Sequence, residues 1–209
     1  MSKNVNAGGA KEKAGDSDGP LVQRVRAGDN QAFELLVVKY QERVFRLIRR
    51  LLGNRDQVED LAQEVFIRAY RSLGSFKGES SFYTWLYKIA LNTCRNYYRS
   101  KGRRPEGSMV DSENILDSIQ DRGNSPEGEA FRAEFWDTVK SSLHTLPAEQ
   151  REAIVLCDLE GLSYEEMAGV IGIPVGTVRS RVFRGRRALQ KQLTPYLPGT
   201  APKRKEKKH

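Results

Sequence analysis

Apolar side chains recur at helical spacing along the first half of the chain, and runs of strict alternation are absent. After Asp29, a plausible N-cap, one apolar stripe predicts a helix from about Gln31 to Leu52 that ends at Gly53-Asn54. Asp56 is the predicted cap of a helix to about Leu73, and a third helix is predicted from about Phe82 to Ser100. These periodicities and the missing alternation predict an all-α fold.

Helical spacing resumes near Glu129 and continues, across a break at Leu146-Pro147, to about Leu159. The segment from Ser163 to Leu189 then reads as two helices joined by a tight turn. Ser163 and Glu166 form a capping box at the first helix start. Ala168 and Gly172 are small enough for a close helix crossing, and Gly172 also allows the positive φ of a helix end. Pro174 suits the first turn of the next helix. The sequence therefore predicts a helix-turn-helix.

The second helix of this pair has two unlike faces. Val178, Val182 and Leu189 form an apolar stripe, and the opposite stripe carries Arg179, Ser180, Phe183, Arg184 and Arg187. Between Met167 and Leu197 there are six basic residues and no acids. A solvated basic helix is the plain interpretation of such a run. Because cap, turn and apolar stripe accompany it, we interpret the helix as one that enters the DNA major groove.

A second acid-free basic window runs from Phe82 to Arg104 and is rich in aromatic residues. Cations that follow phosphates and rings that stack on unpaired bases suit single-stranded nucleic acid. Many of the rings could instead form the core face of an amphipathic helix, and Trp85 is as consistent with core packing as with stacking on DNA. The window thus indicates a second nucleic-acid contact.

Composition divides the chain into two folded parts. Residues 1–19 are polar and glycine-rich, which predicts a disordered extension. Residues 105–129 have the composition of a flexible linker, and residues 195–209 form a basic tail. We therefore predict two small helical domains, 20–104 and 130–194, the second containing the helix-turn-helix.

The net charge, the two cysteines and the absence of several motifs limit the classes of function that the chain could have. A formal charge of +8 and a pI near 9.5 favour a polyanionic partner. The two cysteines show no metal-binding spacing and indicate a reducing, cytosolic setting. No apolar run is long enough to span a membrane, and no signal peptide is evident. Metal-ligand clusters, phosphate-binding glycine loops and nucleophile motifs are also missing. The sequence therefore predicts neither a catalytic site nor a cofactor or metal.

Three motifs in order resemble the extracytoplasmic-function (ECF) sigma factors of bacterial RNA polymerase, above all the sigma-E type. They are DQVEDLAQEVFIRAYRSLGSFKG, SSFYTWLYKIALNTCRNYYRSKGRRP and LSYEEMAGVIGIPVGTVRSRVFRGRRAL, and the likeness covers about residues 20–195. The resemblance implies a cytoplasmic, non-catalytic subunit that binds the β′ clamp and β flap of core polymerase. It also implies recognition of duplex DNA at −35 and of a melted strand at −10.

The resemblance assigns roles to residues by position. It implies core-polymerase binding by Asp60, Gln63, Glu64 and Ile67, which lie off the apolar stripe of their helix. It implies −10 recognition, with a flipped base, by Phe76, Lys77, Tyr87, Asn92 and Arg95. It implies −35 recognition by Arg179, Ser180, Phe183, Arg184 and Arg187. Of these, Arg187, like Arg181, is expected to contact phosphate or nothing.

The resemblance further implies control by an anti-sigma factor, which in this family is often membrane-bound and wedges between the two domains. One alternative is a stand-alone helix-turn-helix regulator that binds operators without polymerase. It leaves the Asp60–Ile67 surface and the aromatic basic helix without a role. An enzyme acting on nucleic acid is the other alternative, and it lacks any candidate catalytic group.

Overall fold

The computed structural model describes residues 18–53, 56–101 and 126–194, and over these ranges the chain is helical without a β-strand. The predicted basic tail, 195–209, lies outside the described residues, and so does the predicted linker, 105–129, except for residues 126–129 at its end, which are helical. Two groups of helices follow, which we call the N-terminal bundle (18–101) and the C-terminal bundle (126–194). The first comprises α1 (Gly19–Arg26), α2 (Asn30–Leu52), α3 (Val58–Ser72), a 3₁₀ turn (Leu73–Ser75) and α4 (Phe82–Ser100). The second comprises α5 (Pro126–Thr145), α6 (Ala148–Ile154), a π turn (Val155–Leu159), α7 (Tyr164–Ile171) and α8 (Val175–Leu193).

The predicted helix ends are mostly confirmed in the N-terminal bundle. The Asp29 side chain accepts a hydrogen bond from the Ala32 amide, and Gly53 ends α2 at φ +74°. The predicted cap at Asp56 is wrong, because α3 begins after Gln57 without a side-chain cap. The first two acidic residues of α3, Glu59 and Asp60, still place negative charge at the positive end of its dipole.

Asp18 falls inside the predicted disordered extension, yet it is buried. Its carboxylate accepts hydrogen bonds from Tyr40 and from Lys39, the latter at 2.5 Å. Residues 1–17 of that extension lie outside the described residues. Because a buried carboxylate requires such partners, the folded part of the chain includes Asp18.

In the N-terminal bundle, α2 packs on α1, α3 and α4, and the core lies between these helices. The apolar stripes that the sequence indicated are buried, including Leu36, Val44 and Leu47 of α2 and Val65 and Ala69 of α3. Burial of one such side chain contributes about 1.5–3 kcal/mol. The stripes therefore hold the polar faces of α3 and α4 in fixed positions.

The C-terminal bundle presents α8 on a support made by α5, α6 and α7. The capping box of Ser163 and Glu166 is present, and Gly172 ends α7 at φ +80°. Pro174 lies one position earlier than predicted, at the N-cap of α8. The predicted close crossing at Gly172 is wrong, since a Cβ there would meet nothing within 4 Å. The close contact is instead at Gly185, where a Cβ would lie 2.7 Å from Ile154 Cγ1.

The two bundles pack on each other through α4 and α7, and one apolar core runs through both. An open cavity of about 550 Å³ lies between them, with Leu91 and Tyr98 on one side and Ile171 and Ile173 on the other. No helix among the described residues is long and apolar enough to cross a membrane.

Candidate nucleic-acid interface

The outward face of α8 carries the residues predicted for −35 DNA. Arg179, Arg184 and Arg187 are exposed, and Phe183 is 66% exposed. Ser180 is half-buried beside them. Val178 and Val182 on the reverse side are fully buried and fix the rotation of the helix. The structure therefore brings all five predicted residues to one helix, with four of them in solvent.

Two of the exposed guanidinium groups are held in place by neighbours. The Arg179 guanidinium lies over the Tyr164 ring, 5.8 Å from its centroid. Arg184 donates from Nε to the Ser180 carbonyl at 3.2 Å and from Nη2 to Ser180 Oγ at 3.3 Å. A guanidinium that is already oriented loses less conformational freedom when it forms paired hydrogen bonds to guanine or phosphate.

Two other arginines of α8 are neutralised by acids of the same bundle. Arg181 pairs with Glu149 at 2.9 Å, and Arg186 donates from Nε and Nη2 to Asp158 at 3.1 and 2.5 Å. The hydrogen bonds that Arg186 donates to the Asp158 carboxylate raise the pKa of Arg186. The acid-free run therefore contains two kinds of arginine, those on the outward face and those paired with acids. The expectation that Arg181 contacts phosphate or nothing stays a prediction.

The residues predicted for −10 DNA do not share one exposed surface. Lys77 and Asn92 are exposed. Phe76 is 7% exposed and packs on the rings of Phe82 and Trp85, with centroids 6.1 and 5.1 Å away. Trp85 is itself half-buried in this cluster, as core packing would require.

Tyr87 and Arg95, also predicted for −10 DNA, contact the C-terminal bundle. The Tyr87 side chain is fully buried, and its hydroxyl donates to Glu160 Oε2 at 2.6 Å. Burial and the Glu160 carboxylate raise the pKa of Tyr87. Arg95 donates to both carboxylate oxygens of Glu152, at 3.0 and 2.7 Å, and these bonds raise the pKa of Arg95.

The residues predicted to contact core polymerase lie on the outer side of α3. Asp60 and Gln63 are exposed, Ile67 is 43% exposed, and half-buried Glu64 pairs with Arg68 at 2.5 Å. An exposed i,i+4 ion pair contributes only about 0.3–0.5 kcal/mol. The polar side chains and Ile67 are thus available to a partner at little cost to the fold.

The sequence reasoning missed two groups of residues. Leu35 and Val38 of α2 are 51% and 66% exposed, and their signal was an apolar residue off the buried stripe. Glu152 and Glu160 reach across to the N-terminal bundle. In the sequence, only their acidic charge, in the segment that precedes the acid-free window of α8, marked them. Among the described residues, no group of three or more His, Cys, Asp or Glu could hold a metal ion.

Comparisons with known proteins agree with this arrangement. Sigma-70 region 2 matches residues 36–104, and Sigma-70 region 4 matches residues 137–189. The RNA polymerase sigma-H factor of Pseudomonas aeruginosa is 47% identical over 186 residues, covering 87% of this chain and 96% of that protein. The ECF RNA polymerase sigma-E factor of Escherichia coli is 46% identical over 186 residues, with the same coverage.

A solved structure supports the same assignment. It is the sigma factor RpoE in complex with the anti-sigma factor NepR from Bartonella quintana, with a TM-score of 0.60 and 29% identity. The match covers 77% of this chain and 96% of that chain. Taken with the two bundles and the outward face of α8, the matches establish that the chain belongs to the extracytoplasmic-function family of RNA polymerase sigma factors.

Proposed function

We propose that this sigma factor reads −35 duplex DNA with the outward face of α8. The observation that carries the proposal is the oriented pair of guanidinium groups, Arg179 over Tyr164 and Arg184 on Ser180, with exposed Phe183 between them in sequence. Paired arginine donors suit guanine, and an apolar ring suits a thymine methyl group. Arg187, further along the same face, is placed to contact phosphate.

The second part of the proposal is capture of the melted −10 strand by the predicted domain 20–104, which contains most of the N-terminal bundle. Exposed Lys77 provides a cation for phosphate, and exposed Asn92 provides an amide for a base edge. Phe76, Tyr87 and Arg95 complete the site. Phe76 is buried in the ring cluster, and Tyr87 and Arg95 become available only where the C-terminal bundle, which contains the predicted domain 130–194, moves away.

Core RNA polymerase is the proposed partner of the outer face of α3. Asp60, Gln63 and Glu64 offer hydrogen-bonding groups around partly exposed Ile67, a mixture typical of a protein interface. We propose that the chain works in the bacterial cytoplasm, where the polymerase lies, and has no catalytic activity of its own. An anti-sigma factor is a further proposed partner, supported by the relative solved with NepR and by the cavity between the bundles.

The experiment is run-off transcription with bacterial core polymerase, with and without the chain, on a sigma-E-type promoter with a GGAAC-type −35 element. We expect transcripts that require the chain and are lost when either promoter element is mutated. Transcription that is indifferent to both elements would contradict the proposal. Tight operator binding without any effect on transcription would favour a stand-alone helix-turn-helix regulator.

A further inference from the structure

A ring from the first helix of the helix-turn-helix holds the Arg179 side chain of the second. The Arg179 Cζ lies 5.8 Å from the centroid of the Tyr164 ring, within the distance of about 6 Å at which a cation and an aromatic face attract each other. Tyr164 is the first residue of α7, and its half-buried ring packs against the core. The contact therefore orients a side chain of α8 from outside that helix.

The capping box at the start of α7 keeps Tyr164 in place. The Ser163 Oγ accepts a hydrogen bond from the Glu166 amide at 3.2 Å, and the Glu166 carboxylate accepts one from the Ser163 amide at 2.8 Å. These two bonds fix the backbone on both sides of Tyr164. The side chain at position 164 takes no part in them, so it can be replaced without removing the cap.

This way of holding an arginine leaves its hydrogen-bond donors for DNA. A ring attracts the charge of a guanidinium, whereas a carboxylate or carbonyl accepts individual N–H groups. Arg184 gives two of its five N–H groups to Ser180. Unlike Arg181 and Arg186, exposed Arg179 has no acidic partner among the described residues. Arg179 is therefore oriented and still able to form a pair of hydrogen bonds to guanine.

We propose that Tyr164 is a positioning residue for −35 recognition: its ring holds the Arg179 guanidinium where that group meets a guanine of the duplex. Discrimination at this base then depends on a residue of α7 that itself reads no base. The role rests on the proposed function of Arg179. The ring acts by restricting the guanidinium before DNA arrives, so less conformational freedom is lost on binding.

The test separates the ring from the hydroxyl and from the fold. Y164L removes the ring and keeps an apolar side chain, whereas Y164F keeps the ring and removes only the hydroxyl. Y164L is combined with R179A in a double-mutant cycle. The matched control is Y164L with R184A, because Arg184 is held by Ser180 and not by the ring. Urea unfolding of each full-length variant shows that it is folded under the binding conditions.

The measurement is fluorescence anisotropy with a GGAAC-type −35 duplex and with duplexes in which each guanine is replaced in turn. We expect Y164L to bind the matched duplex about two- to fivefold more weakly, the size of one exposed cation–π contact, and to discriminate less at the guanine that Arg179 reads. Y164F should bind like the unchanged chain. Y164L should cause no further loss in the R179A background and its full loss in the R184A background.

Three results would overturn the positioning role. One is unchanged binding by Y164L. Another is equal weakening by Y164F and Y164L, which would assign the effect to the hydroxyl. The third is the same loss from Y164L with and without Arg179, which would mean that the ring acts on DNA or on the fold directly. If R179A weakens binding and Y164L does not, only this inference fails. If R179A binds like the unchanged chain, the proposed function of Arg179 fails and the inference fails with it.

Discussion

The two helices assigned to DNA differ in what covers them. On α8 the predicted reading face is open, and its arginines are oriented by Tyr164 and Ser180 of their own bundle. On α4 the predicted residues Tyr87 and Arg95 are covered by carboxylates of the other bundle. A basic helix can therefore be ready for DNA or closed to it, depending on where the nearest acids lie.

This difference has a simple electrostatic origin. Both windows are acid-free along the sequence, but folding brings acids to each of them. Asp158 and Glu149 pair with Arg186 and Arg181 at the side of α8, which leaves its outward face free. Glu152 and Glu160, from the same segment, turn the other way and meet α4. One acidic stretch thus serves both helices.

The largest effect is expected from a substitution that disrupts the packing of α8 on its support. Gly185→Val adds a side chain whose Cβ alone would lie 2.7 Å from Ile154. Overpacking of this kind costs about 1–3 kcal/mol. Urea unfolding followed by circular dichroism measures the loss, and −35 binding should fall with it. Gly176→Ala on the same helix meets open space and is the control. Equal stability of the two variants would contradict the packing role of Gly185.

A second prediction sharpens the assignment of the open face. Arg179→Ala or Arg184→Ala should weaken binding of a −35 duplex by about 1–3 kcal/mol, because each removes a candidate base contact. Arg181→Ala is the control, since that guanidinium is 15% exposed and paired with Glu149. Fluorescence anisotropy with matched and mutated −35 duplexes measures both affinity and specificity. An effect at Arg181 as large as at Arg184 would refute the division between the two kinds of arginine.

The smallest expected effect is on the contact between the two bundles, which a fall in pH should weaken. His144 is buried against Gly53 at the end of α2, and its Nδ1 lies 3.3 Å from Arg151 Nη1. Burial and the Arg151 charge lower the pKa of His144 to about 4. Because this value lies below the ordinary 6.5, the open or unfolded chain binds the proton more tightly. The stabilisation is complete above pH 6.5 and is lost as the pH falls towards 4.

At pH 5.5 these two pKa values correspond to a loss of roughly 1 kcal/mol relative to neutral pH. The check is urea unfolding of the unchanged chain and of His144→Gln at pH 7.5 and 5.5. The unchanged chain should lose more stability than the variant by about that amount. The same pH dependence in both would show that other groups are responsible.

Much of the local structure follows from short-range patterns. The helix over 82–100, the Asp29 cap, the Ser163 capping box and the left-handed Gly172 were all predictable from neighbouring residues. The cap at Asp56 was not, because several polar residues near a helix start compete for that position. The outward stripe of α8 could also be identified before its surroundings were known, because spacing along a single helix decides which residues share a face.

The sequence by itself determined the all-α fold, the helix-turn-helix and which residues share a helix face, because these depend on spacing along one helix. Only the tertiary structure decided that Gly185 packs on Ile154, that Asp18 is buried, and that Glu152 and Glu160 close over α4. Those contacts join residues from 21 to 77 positions apart. Helical periodicity carries no information on such pairs, since they arise when whole helices pack.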